Sequence, residues 1–350
     1  MVPGTGGLVG LPGTGGSLPH VDYVVEGAPH VAAVRFLVDV LSDPLNAALI
    51  GGGGLAVLFT MVAFLRFRPA EADVYALRQA LAGYHEFLPW MLRLAVGLPL
   101  VGAGFAGYYF SPLVETQLRV LQVALGFLLL FGLATRVVAL AGLLAYLAGL
   151  AVRPELVLAS EYVGGFLAIL LLGSGRPSAD HLLQRVAATE GSVYGRVDPL
   201  HPIVDRFNAA IEPYERYAPT VLRAGVGFNF ALLGFWEKLA HPGPALAVVD
   251  KYNLTQVVPV DPGMWVVGAG LTELAVGVFL FVGLFTRATA ATAFVVLTTT
   301  LFGLPDDPVL AHVTLFGLSS ALFVTGGGPF SIDERLGWVA DRVGLRSSPE

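Results

Sequence analysis

The chain has no cysteine, so disulfides, thiolate metal sites and cysteine nucleophiles are excluded. Charge is scarce: 13% of the 350 residues are Asp, Glu, Lys or Arg, against roughly 25% in soluble domains. Lysine is nearly absent, with Lys238 and Lys251 alone among 20 cationic residues. Cations form no basic run, which argues against nucleic acid as a partner. There is no HExxH helix, Walker loop, dinucleotide fingerprint or GxSxG elbow. What the sequence has instead is apolar surface: 55% hydrophobic residues and a mean hydropathy of +0.72. Such a chain is an all-α protein that crosses a lipid bilayer several times.

Residues 1–43 begin Gly/Pro-rich and end in PHVAAVRFLVDVL, which reads as a short amphipathic helix on the membrane or a partner, or as a loosely ordered arm. An extra span is expected within 44–68, with Gly51–Gly54 as a weak spot, and an interfacial helix within 69–88 (Val74, Leu77, Leu81, Tyr84, Leu88). Two similar halves follow. A shift of 130 aligns Pro89, Arg93, Gly97, Gly104 and Pro112 with Pro219, Arg223, Gly227, Gly234 and Pro242. A shift of 151 pairs Gly126, Gly132 and Thr135-Arg136 with Gly277, Gly283 and Thr286-Arg287. A shift of 153 pairs Gly164, Gly173, Gly175 and the Ser178-x-Asp180 turn with Gly317, Gly326, Gly328 and Ser331-x-Asp333. The reading is an internal duplication: a first repeat at 89–182, a cytoplasmic linker at 183–218, a second repeat at 219–336 and a tail at 337–350. Each repeat holds four apolar segments, giving nine spans with the extra one, and even-numbered repeats must run parallel through the membrane.

Fifteen of the basic residues fall on one side of this topology and five on the other. The positive-inside rule then puts the N-terminus outside and the C-terminus in the cytoplasm of a cell-membrane protein. Glycine ends the second span of each repeat and Thr135 or Thr286 is expected to cap the third. Arg93, Arg223, Arg136 and Arg287, present in both copies, read as structural anchors, with headgroups or a packed carboxylate as partners.

Polar groups confined to the second repeat need another explanation. Asn229, Glu237, Lys238, His241, Glu273 and His312 stand where the first repeat has Pro99, Gly107, Tyr108, Ser111, Gln122 and Ala159. A carboxylate at membrane depth is costly and usually functional, which singles out Glu273. Asn229 lies about 13 Å deeper than Lys238 at 1.5 Å per residue. The expectation is a pocket inside the second repeat, open to the outer face, with Glu273 and Asn229 at its floor and Lys238, His241 and His312 at its mouth. Trp236 sits at the interface beside them. No two histidines lie at mid-depth for haem ligation, and no metal or haem site is expected.

The stretches LRAGVGFNFALLGFWEKLAHP, LTELAVGVFLFVGLFTRATA and HVTLFGLSSALFVTGGGPFSIDERL resemble the DoxX/DoxD family of small four-span membrane proteins. Residues 219–336 carry the resemblance, and 89–182 carry it as a degenerate copy. Some members of that family resemble the membrane subunit of a thiosulfate:quinone oxidoreductase. The resemblance therefore implies a quinone as cofactor, Glu273, Lys238 and His312 as the working groups, and Asn229, Glu237, His241 and Trp236 around them. It also implies a redox partner protein or a homo-oligomer. The competing expectation is a non-catalytic membrane scaffold, a subunit of a larger complex, or a transporter-like path for a solute or protons.

Overall fold

The computed structural model describes residues 30–67, 69–194 and 201–336. The Gly/Pro-rich start, residues 195–200 of the linker, the tail at 337–350 and the arginines at 68, 196, 342 and 346 lie outside the described residues. Helix α1 (Ala33–Ser42) is followed by α2 (Pro44–Phe67), α3 (Glu71–Ala82) and a 3-10 turn at His85–Phe87. The first half comprises α4 (Leu88–Ala106), a two-stranded hairpin of β1 (Tyr108–Tyr109) and β2 (Ser111–Glu115), α5 (Arg119–Phe131), α6 (Thr135–Val152) and α7 (Glu161–Leu172). The linker holds α8 (Ala179–Ala187), α9 (His201–Ile211) and a 3-10 segment, Glu212–Tyr217. The second half comprises α10 (Ala218–Leu232), a π-helix (Leu233–Ala240), α11 (Pro242–Lys251), α12 (Pro262–Val282), α13 (Thr286–Gly303) and α14 (Val309–Thr325).

Among the described residues five helical stretches are long and apolar enough to cross a membrane: Pro44–Phe67, His85–Ala106, Thr135–Val152, Arg206–Ala240 and Pro262–Val282. Three further apolar helices, α5, α7 and α14, are shorter. The threonine-rich α13 packs on α14, and Thr292, Thr298 and Thr300 return their hydroxyls to carbonyls one turn back. That local bonding satisfies the hydroxyls without water. The chain is a membrane protein, helical among the described residues but for the hairpin, and α2 keeps its apolar window unburied while Phe64 near its end touches Phe285 of the bundle.

The two halves repeat their contacts. In the first, Arg93 is buried and donates to the carbonyls of Leu129, Leu130 and Pro177. In the second, Arg223 is buried and donates to those of Phe281, Gly327 and Pro329. Each guanidinium thus satisfies the free carbonyls at a helix end and fastens them to the turn after the last helix of its half. The glycines that follow α5 and α12, Gly132 and Gly283, take left-handed φ of 66° and 72°. The expected threonine caps are replaced by something stronger. Asp180 accepts from the amides of Ala134 and Thr135 at 2.6 and 2.9 Å, and Asp333 from those of Phe285 and Thr286 at 2.6 and 2.7 Å. An anion in front of a helix N-terminus is favoured by the helix dipole as well as by the bonds. The Ser-x-Asp turn of each half is therefore the cap of its third helix. The expected box at Ser331 forms with a variation: Ser331 Oγ accepts from the Glu334 amide, while the Glu334 carboxylate reaches the Phe330 amide.

Between halves, α10 packs on α7 and α14 packs on α4, so each half's last helix crosses the other half's first. Gly164 meets Gly225 backbone to backbone, and the equivalent Gly317 meets Ala95. This reciprocity is that of a two-fold relation, and small residues at both crossings allow the close approach. The amphipathic stretch expected within 29–41 forms as α1. It lies on the second half, where Phe36 and Val40 pack with Leu239, Val248, Val249, Leu254, Val266, Val267 and Leu304.

Candidate functional site

The site grows from the seam between α10, its π-helical extension and α12. A Cβ on Gly227 would meet the Phe281 amide at 2.5 Å, and one on Gly234 the Gly270 carbonyl at 2.7 Å. Only glycine permits that approach, and it brings the side chains flanking the seam within reach of each other. The helix then widens over Leu233–Ala240 into a π-helix, a geometry often found at functional sites. Lys238 projects from it and donates to Glu273 Oε2 of α12 at 2.7 Å. The pair is mostly withdrawn from solvent, with side chains 22% and 14% exposed. Glu237, next in the chain, is buried, and Glu237, Glu273 and Asp307 all act electrostatically on the Lys238 ammonium.

These groups stand in the wall of a cavity of ≈620 Å³. Its surface is chiefly apolar, from Leu233, Val248, Val266, Leu297, Leu304 and Leu315 among others. The polar exceptions include Glu161, Glu237, Lys238, Glu273, Asp307 and His312. His312, buried on α14, has Nε2 at 3.4 Å from Asp307 Oδ2. Trp265 also lines the cavity, and its buried Nε1 has no protein acceptor. At the same end of the bundle Lys251 and Asp306 pair at 2.9 Å in solvent. Their hydrogen bond raises the lysine's pKa and lowers the aspartate's.

Of the residues singled out from the sequence, the cavity brings together Glu237, Lys238, Glu273 and His312. Asn229, His241 and Trp236 do not line it. Asn229 is fully buried and turns to the first half, donating to Leu158 O and Glu161 Oε2, both at 2.9 Å. The helix ends at Ala240, which carries His241 away from the seam; its Nδ1 donates to Trp236 O at 2.9 Å and its ring leans on that indole at 4.5 Å. The expected pocket inside the second half is also wider than that half: Phe110, Ser111, Pro112, Leu158, Ala159 and Glu161 of the first half form part of its wall. Glu161 was not foreseen. An acid opening an apolar helix looks like an ordinary first-turn residue, and its only sequence signal is that it lacks a counterpart, since Thr314 stands there in the second half.

The comparison with known families falls on this seam. Residues 218–305 match the DoxX family. The chain carries a DoxX domain. The match takes in α10, the π-helix with Lys238, and α12 with Glu273, and it ends before α14 and His312. No curated protein and no solved structure matches the chain.

The first half shows why the cavity opens beside Lys238 and Glu273 and not at the equivalent place in that half. Here α4 stops at Gly107, whose left-handed φ of 92° turns the chain into the hairpin. Phe110 at the hairpin tip is 3% exposed and meets Tyr109, Tyr146 and Tyr162 edge-on at 4.8, 5.3 and 5.0 Å. Gln122, which stands where the second half has Glu273, is buried beneath the hairpin and holds it by its backbone, donating to Tyr108 O and accepting from the Phe110 amide. Aromatic packing occupies the first half where the DoxX domain keeps a polar-walled space.

Proposed function

We propose that this DoxX protein is a quinone-associated redox subunit of the cell membrane and that the cavity beside Lys238 and Glu273 receives the quinone ring. The observation that carries the reading is the Lys238–Glu273 pair in the wall of an otherwise apolar cavity of ≈620 Å³. The donor set fits a quinone. Its ring is apolar, its carbonyl oxygens accept hydrogen bonds, and the wall supplies an ammonium and an imidazole. An ordinary ligand site is likewise mostly apolar with a few placed polar groups.

A quinone supplies two-electron chemistry that takes up two protons, and the electrons would come from a reductant on a partner protein. The residues of this chain handle the protons and the position. Lys238 Nζ would donate to a ring oxygen and give up its proton there, and Glu273, bonded to Lys238, would take a proton from water at the cavity mouth and return it to Nζ. Asp307, 3.4 Å from Nε2, orients the His312 ring. Apolar residues exclude bulk water and so strengthen each of these contacts. The N-terminus lies outside and the C-terminus in the cytoplasm in this reading, which places the cavity end outward. The recurring contacts support descent of both halves from one four-helix bundle, only the later of which kept a site.

The test is quinone retained by, and quinone reduction coupled to, the purified protein in lipid nanodiscs. Retention that Glu273→Gln lowers supports the reading. Solute-dependent proton flux without quinone binding would replace it with a transport path, and a tight complex with no quinone at all would replace it with a scaffold.

A further inference from the structure

Arg136 and Arg287 occupy equivalent places at the starts of α6 and α13, and both donate to the last carbonyls of their half: Leu170 and Leu171 in one, Phe323, Val324 and Thr325 in the other. Beyond those bonds they diverge. Arg136 is completed by the linker, donating to Asn208 Oδ1 at 2.5 Å and Glu215 Oε1 at 2.9 Å. The linker elements that supply these partners, α9 and Glu212–Tyr217, have a match ahead of the first half. A shift of 130 carries Val204, Tyr214 and Pro219 onto Val74, Tyr84 and Pro89, and so superposes α9 on α3. The contacts agree: Glu212–Tyr217 packs on α7, and α3 packs on α14. The same shift carries Asn208 onto Arg78 and Glu215 onto His85.

In the sequence, the carboxamide and carboxylate that complete Arg136 thus give way to a guanidinium and an imidazole at the equivalent positions of the other half. Arg78 is close enough to repel Arg287. The nearby Asp333 is already engaged by the amides of Phe285 and Thr286 and by the Thr286 hydroxyl. Arg78 and His85 are exposed, and so are Tyr75 and Leu77 of α3 and Tyr84 just after it. The depth is set by α2: Phe64, one turn from its basic end at Arg66, meets Phe285 edge-on at 5.7 Å. The end of a membrane-length apolar helix lies at headgroup level.

We propose that Arg287, Arg78 and His85 form a binding site for the phosphate of an acidic phospholipid. Arg287 is already held by three carbonyls, so its remaining N–H groups are pre-aimed, and guanidinium groups match phosphate oxygens in planar pairs. The inference stands independently of any quinone in the other cavity.

The experiment installs the first half's own residues, Arg78→Asn with His85→Glu, in the full chain. Both positions are exposed and leave the Arg287 bonds intact, so the fold is retained, which size-exclusion chromatography verifies. Wild type and variant are delipidated, returned to nanodiscs of phosphatidylcholine with graded phosphatidylglycerol, and bound lipid is read by native mass spectrometry. Each cation near an anionic headgroup is worth about fivefold in affinity, so the variant should lose phosphatidylglycerol by more than about tenfold and leave phosphatidylcholine unchanged. Equal retention of phosphatidylglycerol by both proteins overturns the site. Saturable binding of inorganic phosphate to wild type in pure phosphatidylcholine discs, with no preference for phosphatidylglycerol, overturns the lipid in favour of a soluble anion.

Discussion

Replacing Glu273 by glutamine removes a charge while keeping volume, so it isolates the ion pair. Breaking a fully buried pair costs about 3–5 kcal/mol because the abandoned partner stays desolvated, whereas an exposed pair is worth about 0–1 kcal/mol. Lys238 and Glu273 fall between, at 22% and 14% side-chain exposure. Glu237 and Asp307 also act on the ammonium and soften its loss of Glu273. The expected cost is therefore about 2 kcal/mol, which over a chain of 350 residues at ~2.1 cal/mol/K per residue is a fall of about 3 °C in melting temperature. Differential scanning fluorimetry in nanodiscs reads it. Lys238→Met should cost a similar amount, and the double variant no more than the worse single one, because the second change removes the charge that the first stranded. If Glu273 also hands a proton to quinone, turnover falls by about 10²-fold or more in Glu273→Gln. Strictly additive melting shifts would mean that the two groups do not act on each other. Unchanged turnover with normal quinone retention would remove Glu273 from the proposed proton path.

The remaining tests address the frame around the site. Gly277→Leu should abolish monodisperse protein on size exclusion, since even a Cβ at Gly277 would stand 2.2 Å from the Ala231 amide nitrogen and the obstacle is backbone. Phe110→Ala should lower stability by about 3–5 kcal/mol in denaturant titration, because a phenylalanine buried among four aromatic rings cannot be replaced by collapse of its neighbours. Asp333→Asn and Asp180→Asn should each cost about 1.5–3 kcal/mol by the same measurement, as each carboxylate caps two amides of a helix start. A clear difference between the two, beyond the extra Thr286 hydroxyl bond at Asp333, would mean that the halves are not held alike.

Spaced glycines and the paired arginines were legible because their roles are steric and local: a glycine seam or a left-handed cap leaves the same mark in any copy. Glu273 and Lys238 stood out because hydrocarbon makes an ionisable residue conspicuous. Asn229 stood out as a polar carboxamide at membrane depth, yet its depth alone could not say toward which helix it turned, and it turned to Glu161 of the other half. That partner was hidden because an acid at a helix start is unremarkable. The end of the helix at Ala240, which carries His241 away from the seam, depends on how the chain enters α11 and leaves no pattern of period 3.6. The backward extension of the likeness to α3 and α9 was obscured by the loss of its charged pair, the very positions that differ in function.

The asymmetry of the site comes from what happens to one segment after its second seam glycine. In the first half Gly104 sits against Val123 and the Arg119 carbonyl, the helix ends at Gly107, and Phe110 folds back into the bundle. In the DoxX domain the equivalent Gly234 sits against the backbone of α12, the helix continues as a π-helix, and no residue returns to occupy the space. A π-helix places one more residue per turn than the α-helix hydrogen-bonding pattern allows, and that extra residue falls within the run containing Glu237 and Lys238. The same glycine that permits close packing at the seam thus leads in one half to an aromatic plug and in the other to a lysine bonded across to α12. Ionisable groups at this depth are tolerable because they bond one another at the wall of a shared cavity, and the first half, lacking both partners, completes its core with aromatic rings and a neutral Gln122 bonded to the hairpin backbone.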